Sequence, residues 1–247
     1  MAELRAAPHP DPPESLMLSK RIPAAFSLLT LAFVLAPTLA CAQTSVAASV
    51  YGAFSGTTNG NGTQQSPANQ AGGLFELRHT SNPIVGFEAT YSFNRANQNY
   101  ITRPGGCPAF GCSISRETVE NNAHEVTADW VPSVHIANFR PFGVLGVGLL
   151  LDVPTNSTAT VFTTSPCGAI TCPGSTTTTT STSGTNTSYK PVYVYGAGLD
   201  WGLIPHIGLR LQYRGNLYSA PNVTKIFSST DTFTHTAEPM IGIYIRL

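Results

Sequence analysis

The sequence predicts an all-β protein, an eight-stranded antiparallel transmembrane up-and-down β-barrel. Three observations lead to this fold class. Eight segments alternate apolar and polar residues with period two, an export signal precedes them, and the connections between them alternate in length. Charged residues make up 11% of the chain and the formal net charge is zero, so we expect no nucleic-acid partner.

Residues 1–42 are predicted to be an N-terminal extension and a cleaved signal peptide. Lys20 and Arg21 precede an apolar run at 24–36, and the small residues at 40–42 complete the pattern of a cleavage site. We expect cleavage after the last of these residues. Export by this route brings the chain into an oxidising compartment.

Two alternatives stay open at the N-terminus. Met17 is an alternative start, because the Pro-rich stretch before it does not look like the beginning of a signal peptide. Cys41 would be the acylated residue of a lipoprotein, although Thr38 stands where such signals usually have Leu. Residues 43–247 are the predicted barrel and lack a run of the ~20 apolar residues that a membrane-spanning helix needs. A mature chain that crosses a membrane would therefore cross it with strands.

The first four predicted strands each carry apolar residues on one face and polar residues on the other. Val46, Val50 and Phe54 share a face in the first strand (45–55), Phe75 and Leu77 in the second (72–79), Phe87 and Tyr91 in the third (84–95), and Val126 and Trp130 in the fourth (117–131). Serine, threonine and charged residues occupy most positions between them. This period indicates strands and not helices.

The last four predicted strands follow the same pattern. Leu145, Val147 and Leu149 share a face in the fifth strand (139–151), Tyr193, Tyr195 and Leu199 in the sixth (190–203), Leu209 and Leu211 in the seventh (207–218), and Ile241, Ile243 and Ile245 in the eighth (235–247). Glycines such as Gly146, Gly148, Gly196 and Gly198 lie on the polar face. They are expected to leave space for long Arg and Glu side chains of neighbouring strands.

The connections between these strands alternate in length. Those after the second, fourth and sixth strands are short turns. The other four connections are long and span 56–71, 96–116, 152–189 and 219–234. Short turns on the periplasmic side and long loops outside are typical of outer-membrane barrels.

The polar face of the predicted strands carries six acidic and four basic residues. They are Glu76, Arg78, Glu88, Glu125, Asp129, Asp200, Arg210, Arg214, Glu238 and Arg246. In a membrane barrel this face points inward, and with eight strands the interior has room only for side chains. We expect an ion-paired plug and no pore. The alternative is a soluble lipocalin-like binding barrel, in which the same charges would be a solvated outer face.

Aromatic residues favour the membrane alternative. Tyr91, Phe93, Tyr193 and Tyr195 fall at the outer ends of their strands, and Trp130 and Trp201 fall at the periplasmic ends. Two aromatic girdles are expected where a barrel meets the two interfaces of a bilayer.

Four cysteines remain after residue 42, in two blocks of identical spacing. They are Cys107, Cys112, Cys167 and Cys172. In an exported chain this spacing favours two local disulfides. A four-cysteine zinc site is the alternative, but its paired ligands are usually two residues apart where this chain has four.

Residues 45–247 resemble the small outer-membrane barrels of the opacity-protein and OmpA transmembrane-domain type. The resemblance rests on the strand pattern, on the segment 140–148, which looks like the fifth strand of those barrels, and on the C-terminus. It implies an outer-membrane location among lipid and lipopolysaccharide, a monomer, and a last strand that the barrel-assembly machinery reads. Gly242, Ile245 and Leu247 fit that strand, with Leu in place of the commoner terminal Phe.

The histidines are the candidates for chemistry, and none of them indicates a catalytic, cofactor or metal site. His79 with Ser81 looks like the His-x-Ser pair of lipid A deacylases but lies at a periplasmic turn. His124 and Glu125 are adjacent in a strand and point to opposite faces, so they cannot work as a pair. His235 lies at the start of the last strand. We therefore expect no enzyme, the alternative being an outer-membrane enzyme acting on lipid A or peptides.

The outer loops are the remaining candidates for function. The third loop contains a Thr-rich tract at 176–188 that cannot bury a core and is expected to be mobile. Loops carried on a rigid scaffold often bind ligands, although a loop can also merely clear the lipopolysaccharide layer. The sequence predicts a structural or adhesin-like role, with an extracellular ligand of the outer loops as a partner.

Overall fold

The computed structural model describes residues 43–82, 84–102, 112–164 and 176–247, with the backbone alone at 112–114, 162–164 and 176–178. These residues form antiparallel strands. They are β1 (Gln43–Ser55), β2 (Thr58–Gly60), β3 (Thr63–Pro67), β4 (Gln70–Thr80), β5 (Gly86–Arg95), β6 (Gln98–Thr102), β7 (Cys112–Trp130), β8 (Phe139–Thr164), β9 (Thr176–Thr182), β10 (Ser188–Ile204), β11 (Ile207–Ser219) and β12 (Phe233–Arg246). The same residues contain no helix that is long and apolar enough to cross a membrane.

Eight of these strands close into a barrel, which confirms the predicted fold class. Each pairs antiparallel with its neighbours in the order β1, β4, β5, β7, β8, β10, β11 and β12. The pairing of β7 with β8 and of β12 with β1 completes the circle. A closed sheet has no unpaired edge at membrane depth, where backbone groups find no water to bind.

The strand register fixes the stagger of the barrel. A path of paired residues leaves β8 at Pro141, passes Leu199, Leu211, Ile241, Val50, Gly73, Phe93 and His124, and meets β8 again at Leu151. The path has advanced ten residues along β8, from 141 to 151. With eight strands, this stagger corresponds to a tilt of about 40° and to an interior that side chains can fill.

The two faces of the barrel are the reverse of those in a soluble protein. Val50 and Phe75 point outward and are 64% and 62% exposed, whereas Arg78 and Arg210 point inward and are 0% exposed. An apolar outer face and a charged interior are the arrangement of a barrel surrounded by lipid.

Glycines on the inner face leave space for neighbouring groups, but mostly not for the Arg and Glu side chains that the sequence suggested. A Cβ on Gly146 would collide with the carboxyl group of Asp129, and a Cβ on Gly198 would collide with the ring of Phe142. At Gly196 the obstacle is backbone of the neighbouring strand. The expectation of space for long Arg and Glu side chains was therefore wrong at these positions, where an Asp, a Phe and a close strand use the space.

Much of the chain that was predicted as outer loops forms β-strands. The prediction of irregular structure was wrong for these residues. The hairpin β2–β3 lies in the first predicted loop, β6 and the start of β7 lie in the second, and the end of β8 and all of β9 lie in the third. In particular, the Thr-rich tract forms a strand at 176–182 that pairs with the end of β8. We call the sheet formed by β2, β3, β6, the start of β7, the end of β8 and β9 the outer sheet.

Candidate functional site

The periplasmic half of the barrel interior contains two arginines that share three carboxylates. Arg78 Nε is 2.6 Å from Glu88, and its Nη1 is 3.3 Å from Asp200. Arg210 Nε is 2.7 Å from Asp200 Oδ1, and Arg210 Nη1 is 2.9 Å from Glu76 Oε2. These side chains are fully or almost fully buried, so each charge depends on the others for the interactions that water would provide.

The outer half of the interior has one arginine for a larger number of acids. Arg214 Nη2 is 3.3 Å from Glu125 and 3.8 Å from Asp129, and the amide of Asn216 donates to Glu125 at 3.0 Å. Arg214 also donates to the hydroxyl of Thr90 at 3.1 Å. Acidic side chains therefore outnumber basic ones as the interior approaches the outer mouth.

A cavity of about 30 Å³ lies above Arg214. Its lining includes the carboxyl groups of Glu125, Asp152 and Glu238 but no basic side chain. Asp152 lies beyond the outer aromatic residues and accepts a hydrogen bond from the amide of Asn121. Burial raises the pKa of Asp152 to about 7, against the opposing effects of that hydrogen bond and of the positive charge on Lys190.

Both ends of the interior are closed by hydrogen-bonded side chains. At the periplasmic end, Arg140 donates to Ser133 at 2.9 Å, to Thr80 at 2.6 Å and to Gln43 at 3.3 Å. Next to it, the guanidinium of Arg78 lies 4.0 Å from the centre of the Phe142 ring. These contacts connect β8 to β1 and β4 across the mouth.

At the outer end, Gln65 donates to Gln98 at 3.0 Å and to the carbonyl of Pro221 at 2.8 Å. The hydroxyl of Tyr100 donates to the same carbonyl at 3.1 Å. Both contacts attach the connection between β11 and β12 to the outer sheet. We call this connection, residues 220–232, the strap.

The strap packs on the inner face of the outer sheet. Tyr100 stacks on Phe227 with ring centres 5.7 Å apart, and both rings are buried together with Val119 and Val223. The buried carboxylate of Glu117 accepts hydrogen bonds from Ser183 and from Thr224 of the strap. The outer sheet and strap thus have a small core of their own above the barrel.

The sequence matches a family model, the outer membrane protein beta-barrel domain, over residues 26–236. The chain belongs to this family. The match confirms the predicted outer-membrane location, and it excludes the soluble lipocalin-like alternative. The outward apolar face of the barrel is the surface that this location requires.

Solved structures of outer-membrane proteins are also similar to this chain. Neisserial surface protein A is 14% identical, with 84% of this chain and 100% of that chain covered and a TM-score of 0.44. The attachment invasion locus protein Ail of Yersinia pestis, solved with the heparin analogue sucrose octasulfate, is 14% identical (83% and 99% covered, TM-score 0.38). OprG from Pseudomonas aeruginosa is 9% identical (83% and 96% covered, TM-score 0.41). No curated protein sequence matches the chain.

Nine of the ten charges that the sequence placed inside the barrel are buried there, from Glu76 on β4 to Glu238 on β12. Arg246 is the exception, because it is only half-buried at the periplasmic end, where it donates to Tyr244 at 3.0 Å.

Sequence analysis missed Arg140 and Asp152, which both point inward. Arg140 precedes Phe142 by two residues on the inner face of β8, so extending the alternation to the start of that strand would have found it.

The residues predicted as girdles are exposed on the outer wall, at the two ends of the barrel strands. Tyr91, Phe93, Tyr193 and Tyr195 lie toward the outer sheet, and Trp130 and Trp201 lie toward the periplasmic turns. Trp130 Nε1 donates to the carbonyl of Ile84 at 2.8 Å. On β12, Gly242 pairs with Ser49 of β1 and Ile245 is exposed, as is Leu247 directly after the strand.

The three histidines considered for chemistry each contact a hydroxyl group of another strand. His79 is 3.1 Å from the Thr44 hydroxyl, His124 is 2.9 Å from that of Tyr91, and His235 is 2.8 Å from that of Tyr195. Within the described ranges, no group of three or more His, Cys, Asp or Glu could hold a metal ion. The predicted signal peptide and the side chains of Cys107, Cys112, Cys167 and Cys172 lie outside what the structure describes.

Proposed function

We propose that the protein displays the outer sheet on the cell surface for contact with an extracellular ligand, and that the barrel holds this sheet in the membrane without forming a pore. The observation that carries the proposal is the packing of the strap against the outer sheet. A segment that only cleared the lipopolysaccharide layer would not need a buried core containing Tyr100, Glu117 and Phe227.

The outward face of the outer sheet is largely polar, which suits such contact. Asn99, Thr118, Thr158 and Thr182 form one row of paired residues across β6, β7, β8 and β9. The neighbouring row consists of Ile101, Arg116, Thr160 and Thr180. Hydroxyl and amide groups at regular spacing favour a polar ligand bound through hydrogen bonds.

The interior supports the non-pore part of the proposal. Arg78 and Arg210 with their carboxylates fill the periplasmic half, and Arg140 and Gln65 take part in closing the two ends. An eight-stranded barrel leaves space for such side chains and not for a water-filled channel.

The histidines give no support to the alternative of a membrane enzyme. His124 and His235 are paired with tyrosines on the lipid-facing wall, and His79 is paired with Thr44 at the periplasmic end. None of these pairs places a base beside a serine, as a hydrolytic nucleophile requires.

Adhesion of whole cells tests the proposed role. Cells that produce the protein are applied to surfaces coated with fibronectin, laminin or collagen, and are compared with cells whose protein carries Thr118→Lys and Thr158→Lys. Because these lysines place bulky charges in the middle of the outward face, we expect adhesion to fall about tenfold.

The matched control is Thr44→Lys, which introduces one lysine at the periplasmic end and should leave adhesion unchanged. Heat-modifiable gel migration verifies that every variant has folded. Equal adhesion of the wild-type protein and the double variant on every surface to which the cells adhere, or no adhesion beyond that of cells lacking the protein, would refute the proposal.

A further inference from the structure

The outer wall of the barrel has a polar notch just above the outer aromatic residues. Its cavity measures about 150 Å³ and is lined by Arg95, Asn97, Glu120, Asn122 and Thr155, with Asn121 behind them. We call this cavity the wall notch. The residues come from the end of β5, the following connection, β7 and β8.

Two irregularities of the sheet create the wall notch. The strand pairing of β5 ends at Arg95 and resumes in β6 at Gln98, so the wall is interrupted between them. In β8, Thr155 is an extra residue between the pairs Glu120–Asn156 and Asn121–Pro154. Such a bulge bends the strand and redirects its side chains, and bulges are frequent beside functional sites.

The position of the wall notch is that of the outer headgroup layer. Phe93 pairs with His124, and Arg95 pairs with Asn122 one step further out on the same face. Tyr91 and Phe93 are exposed on the wall below the notch, where acyl chains contact the barrel. A lipid of the outer leaflet would thus have its acyl chains on these rings and its headgroup at the notch.

The groups around the wall notch are mainly hydrogen-bond donors. Arg95 is exposed, and its guanidinium makes no hydrogen bond or ion pair with other described residues. Asn97 uses its carbonyl oxygen to accept from the backbone of Asn121 at 3.3 Å, which leaves its amide hydrogens for a ligand. Thr155 donates to the backbone of Glu120 at 3.2 Å. Among the described lining residues Glu120 is the one with a carboxylate, and it lies on the outer side of the notch.

His124 adds a second nitrogen group below Arg95. Its Nδ1 is 2.9 Å from the hydroxyl of Tyr91, so the imidazole is held on the wall and Nε2 stays available. Arg95 and His124 are diagonal neighbours across β5 and β7, with Cβ atoms about 7 Å apart. A guanidinium and an imidazole at this spacing suit the oxygens of one phosphate group.

We propose that the wall notch binds a phosphate group on the sugar headgroup of an acylated glycolipid in the outer leaflet. Arg95 contacts the phosphate, and His124, Asn97 and Asn122 donate to phosphate or sugar oxygens. The exposed rings of Tyr91 and Phe93 contact the acyl chains. Glu120 disfavours a second anionic group on the outer side, so the notch takes one phosphate.

The test uses the protein purified from outer membranes and placed in phosphatidylcholine nanodiscs. Diphosphorylated lipid A is titrated in, and the bound lipid is counted by native mass spectrometry. We expect Arg95→Gln to weaken binding about tenfold because one charge-assisted contact is lost, and His124→Gln to weaken it less. The matched control is Lys225→Gln, which removes the same charge from the exposed strap and should bind like the wild type.

Two further probes separate the sources of the phosphate chemistry. Dephosphorylated lipid A should bind the wild type at least as weakly as diphosphorylated lipid A binds Arg95→Gln, because it loses every contact to the phosphate. Inorganic phosphate should displace the glycolipid only at large excess, since it lacks the acyl contacts. Wild-type affinity in Arg95→Gln, equal binding of dephosphorylated lipid A, or equal occupancy by inorganic phosphate would each overturn the proposal.

Discussion

Arg78, Arg210 and Arg214 are fully buried in the barrel, and each contacts at least two carboxylates. This sharing determines how far a single substitution lowers the free energy of unfolding. Among the described residues, Arg210 lies within 4 Å of Glu76, Glu88 and Asp200, while Arg214 lies within 4 Å of two carboxylates, those of Glu125 and Asp129. Removing one member of a buried pair leaves the other without compensation for its lost hydration. Among the described residues, neither of these two acids forms an ion pair with a second arginine, so Arg214 is the sensitive point of this network.

Arg214→Ala should lower the free energy of unfolding by about 2–4 kcal/mol, because two buried carboxylates lose their counter-charge. Urea unfolding in lipid vesicles, followed by tryptophan fluorescence, measures the change. Arg246→Ala is the control, since Arg246 is half-buried and touches Tyr244 and no carboxylate in the described residues. Equal losses in the two variants would show that the inward position of Arg214 contributes nothing.

Asp152 should make the folded protein less stable as the pH rises. Burial raises its pKa to about 7, so between roughly pH 4 and 7 the folded chain binds more protons than the unfolded chain. Stability is therefore lost as the pH increases through this window. Asp152→Asn should match the wild type at the acidic end and exceed it by about 4 kcal/mol at pH 8. The free energy of unfolding, measured at several pH values, tests this prediction. The control is Glu120→Gln, because Glu120 is exposed. Parallel pH profiles for the wild type and Asp152→Asn would contradict the prediction.

At the scale of strands and connections, the strap depends on Glu117 for its attachment to the outer sheet. This carboxylate accepts from Thr224 of the strap and from Ser183 beside β9, so it joins two connections to β7. Glu117→Ala should release the strap and increase the rate of trypsin cleavage after Lys225, an exposed strap residue, about tenfold.

Digestion of intact cells, with the fragments identified by mass spectrometry, measures that rate. Glu120→Ala is the matched control, because Glu120 lies three residues away on the opposite face of β7 and does not contact the strap. Unchanged cleavage after Lys225 in Glu117→Ala would mean that the aromatic contacts of the strap hold it without the carboxylate.

The elements that lie in the membrane were predictable, and those beyond it were not, for one physical reason. Within the membrane one face of each strand meets lipid, so apolar residues such as Phe75 and Leu77 alternate with Glu76 and Arg78. Beyond the membrane the outward face is polar as well, as Thr118 and its neighbours show, and the period that reveals a strand is lost. The strap was equally hidden, since its contacts join residues more than a hundred positions apart, such as Glu117 and Thr224.

For the molecule as a whole, charge is distributed unevenly along the barrel axis. Arg78, Arg140 and Arg210 lie in the periplasmic half, whereas the outer half has Arg214 with the acids Glu125, Asp152 and Glu238. An ion that entered from either end would have to break buried ion pairs to pass, because the guanidinium groups of Arg78, Arg210 and Arg214 are already bound to carboxylates. This arrangement opposes conduction, because separating a buried ion pair is costly.

Planar-bilayer recordings test this property of the whole molecule. We expect the wild-type barrel to give no discrete conductance steps, because Arg140 and Phe142 close the periplasmic end and the ion pairs fill the space behind them. The variant with both Arg140→Ala and Phe142→Ala should show an increased leak, since it removes that closure and leaves the eight strands in place. Conductance steps of uniform size from the wild-type protein, still present after removal of contaminating porins, would show that the plug moves aside and that the barrel conducts.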